Sequence, residues 1–203
     1  MSTTKRSIIA PPEKNRRRSR TIMYVSIAIV VIAVILAVAF ASRVPKSASV
    51  APTDSKIKVG DAAPEFTVSA TNGQFDLKNA LASGKPVFLE VFATWCPHCQ
   101  REVPSLNDLY KKYGDKTAFV SVSGSQYGID SSSPESQVDV VNFAQQYGAQ
   151  YPIAYDGTLD VAAKYLQGGF PTFVVIDKTG KVAFIGSGEL PEKDLETQLK
   201  KVM

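Results

Sequence analysis

The 203-residue chain has apolar content for one ordinary folded domain, with segments to spare. Its formal charge of +4 is unevenly spread: residues 1–46 carry nine Lys/Arg against one Glu, and the remainder carries 14 Lys/Arg against 18 Asp/Glu. The body is therefore mildly acidic and has no basic aromatic patch, which argues against a nucleic-acid partner.

Residues 1–21 are polar and basic, with Lys14, Arg16, Arg17, Arg18 and Arg20 in one run and nothing that could bury a core. Residues 22–41 carry no charge. As a helix they would span about 30 Å, one hydrocarbon core. The basic cluster precedes this run, and only Arg43 and Lys46 follow closely, so the positive-inside rule predicts a cytoplasmic N-terminus and an extracytoplasmic body. Ala39-Phe40-Ala41 fits a small-x-small cleavage pattern, but the run exceeds the ~7–15 apolar residues of a signal peptide. The expectation is a single uncleaved transmembrane anchor in the cell membrane. Residues 42–57, rich in Ser, Ala, Pro and Lys, read as a tether, which leaves 58–203 as the folded domain.

Within the body, short alternating runs flank Asn72-Gly73, a hairpin signal. Residues 87–93, VFLEVFA, are apolar except for Glu90 and predict a strand covered on both faces. Helical spacing then runs to Gly114. A strand over 117–124 and a polar loop over 125–133 follow. Ser133-Pro134-Glu135 predicts the opening of a helix that ends at Gly148. Residues 151–156 read as a strand, 159–166 as a helix, and 168–177 and 181–188 as two strands joined at Lys178-Thr179-Gly180. A last helix over 192–202 puts Leu195, Leu199 and Val202 on one face. This order predicts an α/β fold: a central mixed sheet flanked by helices, opened by a β-hairpin.

Both cysteines, the only His and the only Trp fall within residues 92–104, FATWCPHCQREVP. Where a buried strand gives way to a helix, Cys96 would stand at the helix N-terminus, and backbone N–H groups and the helix dipole favour a thiolate there. Cys99, one turn on, is within reach for a disulfide. This spacing suits attack, a mixed disulfide, and resolution by the second cysteine. A structural zinc site needs four ligands, more than two cysteines and one histidine supply. Haem attachment would need His directly after Cys99, where Gln100 stands. A purely structural disulfide would close too small a loop to constrain the unfolded chain. The pair therefore reads as a redox-active dithiol, with Cys96 exposed and attacking, Cys99 resolving, and no cofactor or metal required.

Trp95-Cys96-Pro97-His98-Cys99 after a buried strand resembles a thioredoxin-fold active site. The longer Trp-Cys-x-x-Cys-x-x-Glu-x-Pro pattern and the GDAAPEF opening at Gly60 resemble the membrane-anchored thioredoxin-like oxidoreductases of the TlpA/ResA type, over roughly residues 58–203. The dipeptide departs from that pattern: Pro97-His98 resembles DsbA, the periplasmic oxidant. Peroxiredoxins are disfavoured, because Ala93 stands where they carry Thr.

The resemblance implies the remaining roles. Pro171, in Gly168-Gly169-Phe170-Pro171-Thr172, matches the cis-proline loop beside the cysteines, where Phe170 and Pro171 would meet an incoming peptide. Trp95 would shield one side of Cys96. Glu90, six residues before Cys96, matches a buried acid that exchanges a proton with Cys99. Glu102 matches the Glu-x-Pro acid and would tune the thiols. His98, able to donate to a Cys96 thiolate or oppose its charge, predicts a couple more oxidising than that of thioredoxin. The implied activity is exchange of a Cys96–Cys99 disulfide or dithiol with client proteins and with a membrane or extracytoplasmic redox partner, the direction of electron flow left open. The alternative is a copper-binding chaperone using Cys96, Cys99 and His98, since thiolates suit Cu(I), but the chain has no second histidine.

Overall fold

The computed structural model describes residues 56–203, together with Met23, Tyr24, Ile27, Ile29 and Ile32 in helical conformation. The tail, anchor and tether readings fall almost wholly outside the described residues. Among the described residues no helix is long and apolar enough to cross a membrane.

The body contains twelve elements. In chain order they are β1 (Thr67–Ala70), β2 (Gly73–Asp76), α1 (Leu77–Ala82), β3 (Val87–Phe92), α2 (Pro97–Tyr113), β4 (Ala118–Ser123), α3 (Gln137–Tyr147), β5 (Ile153–Tyr155), α4 (Asp160–Tyr165), β6 (Thr172–Ile176), β7 (Val182–Ser187) and α5 (Glu192–Val202). The strands form one mixed sheet in the order β2-β1-β5-β4-β3-β6-β7. β3 runs parallel to β4 and antiparallel to β6, and β4 runs parallel to β5. This is the thioredoxin-like α/β architecture that the sequence predicts.

All six residues of β3 are buried. Successive side chains of a strand point to opposite faces. Phe88 and Phe92 thus join a core with Val103, Leu106 and Leu109 of α2, Phe143 of α3, and Leu195 and Leu199 of α5. Val87, Leu89 and Val91 join the other core, with Leu77 of α1 and Val161 and Tyr165 of α4. Each such side chain, fully buried, contributes roughly 1.5–3 kcal/mol of transfer free energy. Glu90 lies on the Phe88 and Phe92 face, so the strand's one carboxylate is aimed under α2. Ile57, which the sequence reading put in the tether, is buried in the second core.

Two helices differ from expectation, and the strand expected over 168–177 begins only at Thr172, because 168–171 form the loop beside the cysteines. α1 is too short for a periodic signal. Its mark is local: the Asp76 carboxylate accepts from the Asn79 amide at 2.8 Å and caps the helix. The third helix does not open at Ser133-Pro134. It begins at Gln137, capped by Ser136 in a reciprocal box with Asp139. Ser133 is already held by Asp130, which accepts from the Ser132 and Ser133 amides, and Pro134 bridges to Tyr127. The predicted end is observed: Gly148 closes α3 in the left-handed conformation.

Candidate active site

The chain leaves buried β3 through Ala93-Thr94-Trp95 and enters α2 with Cys96 as its N-cap residue and Pro97 at the first helical turn. Both cysteines are thiols. Cys96 is less accessible than the sequence suggests: only 4% of its surface reaches solvent. The reason is the loop before β6. Phe170 packs edge-to-face on Trp95 at 6.0 Å, and its carbonyl lies 3.6 Å from Cys96 Sγ, within reach of the S–H donor. The Phe170–Pro171 peptide bond is cis, as the resemblance implies. Thr172 Oγ1 secures the loop by donating to Gln167 O and Gly169 O, both at 2.8 Å.

Cys99 is buried more deeply, at 1% exposure. Burial pushes its thiol far up, and the nearby Glu90 charge adds to the shift. The two sulfurs are therefore unlike. Cys96 sits at the dipole end of α2, whereas Cys99 stays a thiol until something removes its proton.

Glu90 is placed for that. It is 2% exposed, and its Oε2 accepts from Ser121 Oγ at 2.6 Å across the β3–β4 pair. Its Oε1 is buried without a partner. Burial is the main cause that raises Glu90 from the ordinary carboxylate range to about 8, and the Glu102 charge adds to it. Tyr151, also buried, is pushed up by burial and by the Glu90 and Cys99 charges, which marks it as a neighbour of the same polar row.

Glu102 is buried on the same helix and raised by burial. Its Oε1 accepts from the Leu190 amide at 2.7 Å, so it ties α2 to the turn before α5. Its charge adds to the rise at Glu90. The expected contact of His98 with Cys96 is replaced by another: Nδ1 lies 2.9 Å from Glu189 Oε2 and 2.7 Å from an Arg101 terminal nitrogen.

Sequence reasoning missed another buried carboxylate. Glu135 Oε1 accepts from Thr94 Oγ1 (2.9 Å) and Ser123 Oγ (2.7 Å), its Oε2 is buried without a partner, and burial raises its pKa. Trp95 Nε1 donates to Ser125 Oγ at 2.7 Å. The 125–135 loop is thus fastened to the residues just before Cys96 at both of its ends. Nothing in Ser133-Pro134-Glu135-Ser136 marks Glu135 as buried, because its partners are Thr94, 41 residues away, and Ser123, 12 residues away.

Against this site, the family model for Redoxin matches residues 58–199. The chain belongs to the Redoxin family. Within it, the protein is similar to the thiol-disulfide oxidoreductase ResA of Bacillus thuringiensis (strain Al Hakam), with 36% identity over 72% of this chain and 80% of the relative. ResA of Geobacillus kaustophilus is 30% identical over 92% of this chain and 98% of the relative. Among solved structures, a Chlorobium tepidum protein assigned as the thiol:disulfide interchange protein DsbE superposes with a TM-score of 0.63 at 27% identity, over 72% of this chain and 99% of that one. This Redoxin protein is a thioredoxin-like thiol–disulfide oxidoreductase. The copper-binding alternative finds no support among these relatives, and His98 Nδ1 is already engaged by Glu189 and Arg101.

Proposed function

We propose that the protein is tethered to the cell membrane by residues 22–41 and exchanges its Cys96–Cys99 couple with client protein thiols and disulfides on the extracytoplasmic side. The tether rests on the uncharged run and its basic N-terminal flank. Similarity to the Geobacillus kaustophilus relative covers 92% of this chain and so extends into the segment before the body.

The observation that carries the exchange chemistry is the asymmetry of the two thiols: Cys96 caps α2 beside the Phe170 carbonyl, and Cys99 lies buried over Glu90. In the reducing direction, the Cys96 thiolate attacks one sulfur of a client disulfide, and the other client sulfur leaves as a thiolate. Cys99 then passes its proton to Glu90 in its ionised form, which a carboxyl raised to about 8 adopts as the pH approaches that value, and attacks Cys96 Sγ. The client leaves with its second thiolate, and a Cys96–Cys99 disulfide remains. Client disulfide is reduced by two electrons and the protein is oxidised by two. The oxidising direction is the same sequence reversed. In either direction the client must enter where Trp95 and Phe170 cover Cys96, which makes those two side chains and Pro171 the contact surface.

C99A tests the assignment. Its reduced form, expressed with its natural clients, should accumulate mixed disulfides through Cys96 that dissolve on addition of dithiothreitol. Trapping that survives C96A in a Cys99-containing protein would reverse the roles.

A further inference from the structure

We propose that Glu189 is a positioning residue for the redox couple: it neutralises Arg101 and His98 at the start of α2 and thereby holds the potential of the Cys96–Cys99 pair below the value those two cations would set. This deepens the exchange function proposed above and rests on Cys96–Cys99 being the reacting pair.

Glu189 is unlike an ordinary surface glutamate in how it is held. The residues on either side of it are fixed to the active site. The Gly188 amide donates to Pro171 O at 2.8 Å, and the Leu190 amide donates to Glu102 Oε1 at 2.7 Å. The turn that carries Glu189 is thus fastened to the cis-proline loop on one side and to the cysteine-bearing helix on the other. Its side chain then spans two turns of α2. Arg101 donates from Nε to both carboxylate oxygens at 3.2 Å and from a terminal nitrogen to Oε2 at 2.7 Å. His98 Nδ1 meets the same Oε2 at 2.9 Å.

The chemistry of Nδ1 sharpens the point. One ring nitrogen cannot both donate to Glu189 and accept from Arg101. Protonated, His98 donates to Glu189, and its charge is offset by the carboxylate. Neutral, with the proton on Nε2, it accepts from Arg101. In both states Nδ1 is occupied away from the thiols, so the cation that the Pro97-His98 dipeptide would present to Cys96 is muted. Arg101 is close enough to Cys96 to respond to a charge on it. The charged groups that meet His98 are Glu189 on the β7–α5 turn and Arg101 on α2. Glu189 stays anionic throughout the range in which a histidine titrates, because the Arg101 and His98 contacts push it down to about 2.

Removing the negative charge while keeping the shape should expose Arg101 and His98 to the Cys96 thiolate. A stabilised thiolate favours the dithiol over the disulfide and makes the couple more oxidising. The test uses the body expressed with its own anchor in detergent, equilibrated in glutathione buffers, with the dithiol fraction read by alkylation. For E189Q the equilibrium constant for protein reduction should rise about threefold to tenfold, about 15 to 30 mV at ~30 mV per tenfold for two electrons. The same substitution in an H98N/R101Q background should then have no effect. A change of twofold or less in E189Q, a fall, or an equal rise in the H98N/R101Q background would overturn the proposal. Failure of the unsubstituted protein to equilibrate with glutathione at all would instead remove the exchange function on which it rests.

Discussion

Glu90 should make the reduced protein lose stability as pH rises, and E90Q should abolish that loss. A carboxylate raised from about 4.5 to about 8 in the folded state binds its proton more tightly there than in the unfolded chain. The sign follows from proton counting. Below about pH 4.5 both states are protonated and the fold has its full stability. Between about 4.5 and 8 the native state holds a proton that the unfolded chain has lost, so stability falls by ~1.4 kcal/mol per pH unit. Above 8 the loss is complete. The full interval corresponds to about 5 kcal/mol, an upper figure because water entry relieves part of the burial cost. Urea unfolding of the reduced protein and of E90Q at pH 5 and pH 8.5 gives the comparison. Groups common to both proteins cancel in the difference. The wild type should lose about 2–4 kcal/mol relative to E90Q between the two pH values. A gap that stays constant within about 1 kcal/mol would show that Glu90 is not a buried, raised carboxyl, and the proton affinity that suits it to take the Cys99 proton would be gone.

In stopped-flow exchange with a small disulfide, E90Q should leave attack by Cys96 intact and slow release of the mixed disulfide about 10- to 100-fold at pH 7, within the scale of general-base effects; equal release rates from pH 5 to 9 would end the proton-shuttle role. W95F removes the donor to Ser125 Oγ and should cost about 1 kcal/mol while speeding hydrogen exchange at the Tyr127 and Glu135 amides. Unchanged exchange at both would show that the loop is not fastened through Trp95. L199A truncates a side chain with no exposed surface and should destabilise the body by about 2–5 kcal/mol, read by urea midpoint. For the tether, protease added to intact spheroplasts should remove the body and leave a short membrane-bound stub, whereas a soluble mature form beginning at Ser42 would identify residues 22–41 as a cleaved signal.

Much of this protein is legible in its sequence because the signals are local. The β3 run, the helix after Cys99 and the alternation of strands with helices follow from side-chain period, and they suffice to predict a mixed sheet with the cysteines at a strand-to-helix junction. Cys96, Cys99, Pro171, Glu90 and Glu102 stand out by spacing and by family resemblance. What the sequence could not express is which side chains meet across the sheet and the loops. His98 looks free to serve Cys96 until the turn after β7 brings Glu189 to its ring, where Arg101, three residues along α2, meets the same nitrogen. Glu135 reads as a helix-opening residue until the loop folds back and buries it between Thr94 and Ser123. Ser136 caps α3, in place of Ser133, because a reciprocal box with Asp139 was available and Asp130 had already taken Ser133. Cys96 is covered because a loop 74 residues downstream lays Phe170 over it. Period and capping act over a few residues and are written along the chain, whereas burial, charge pairing and thiol environment depend on neighbours that only packing brings together.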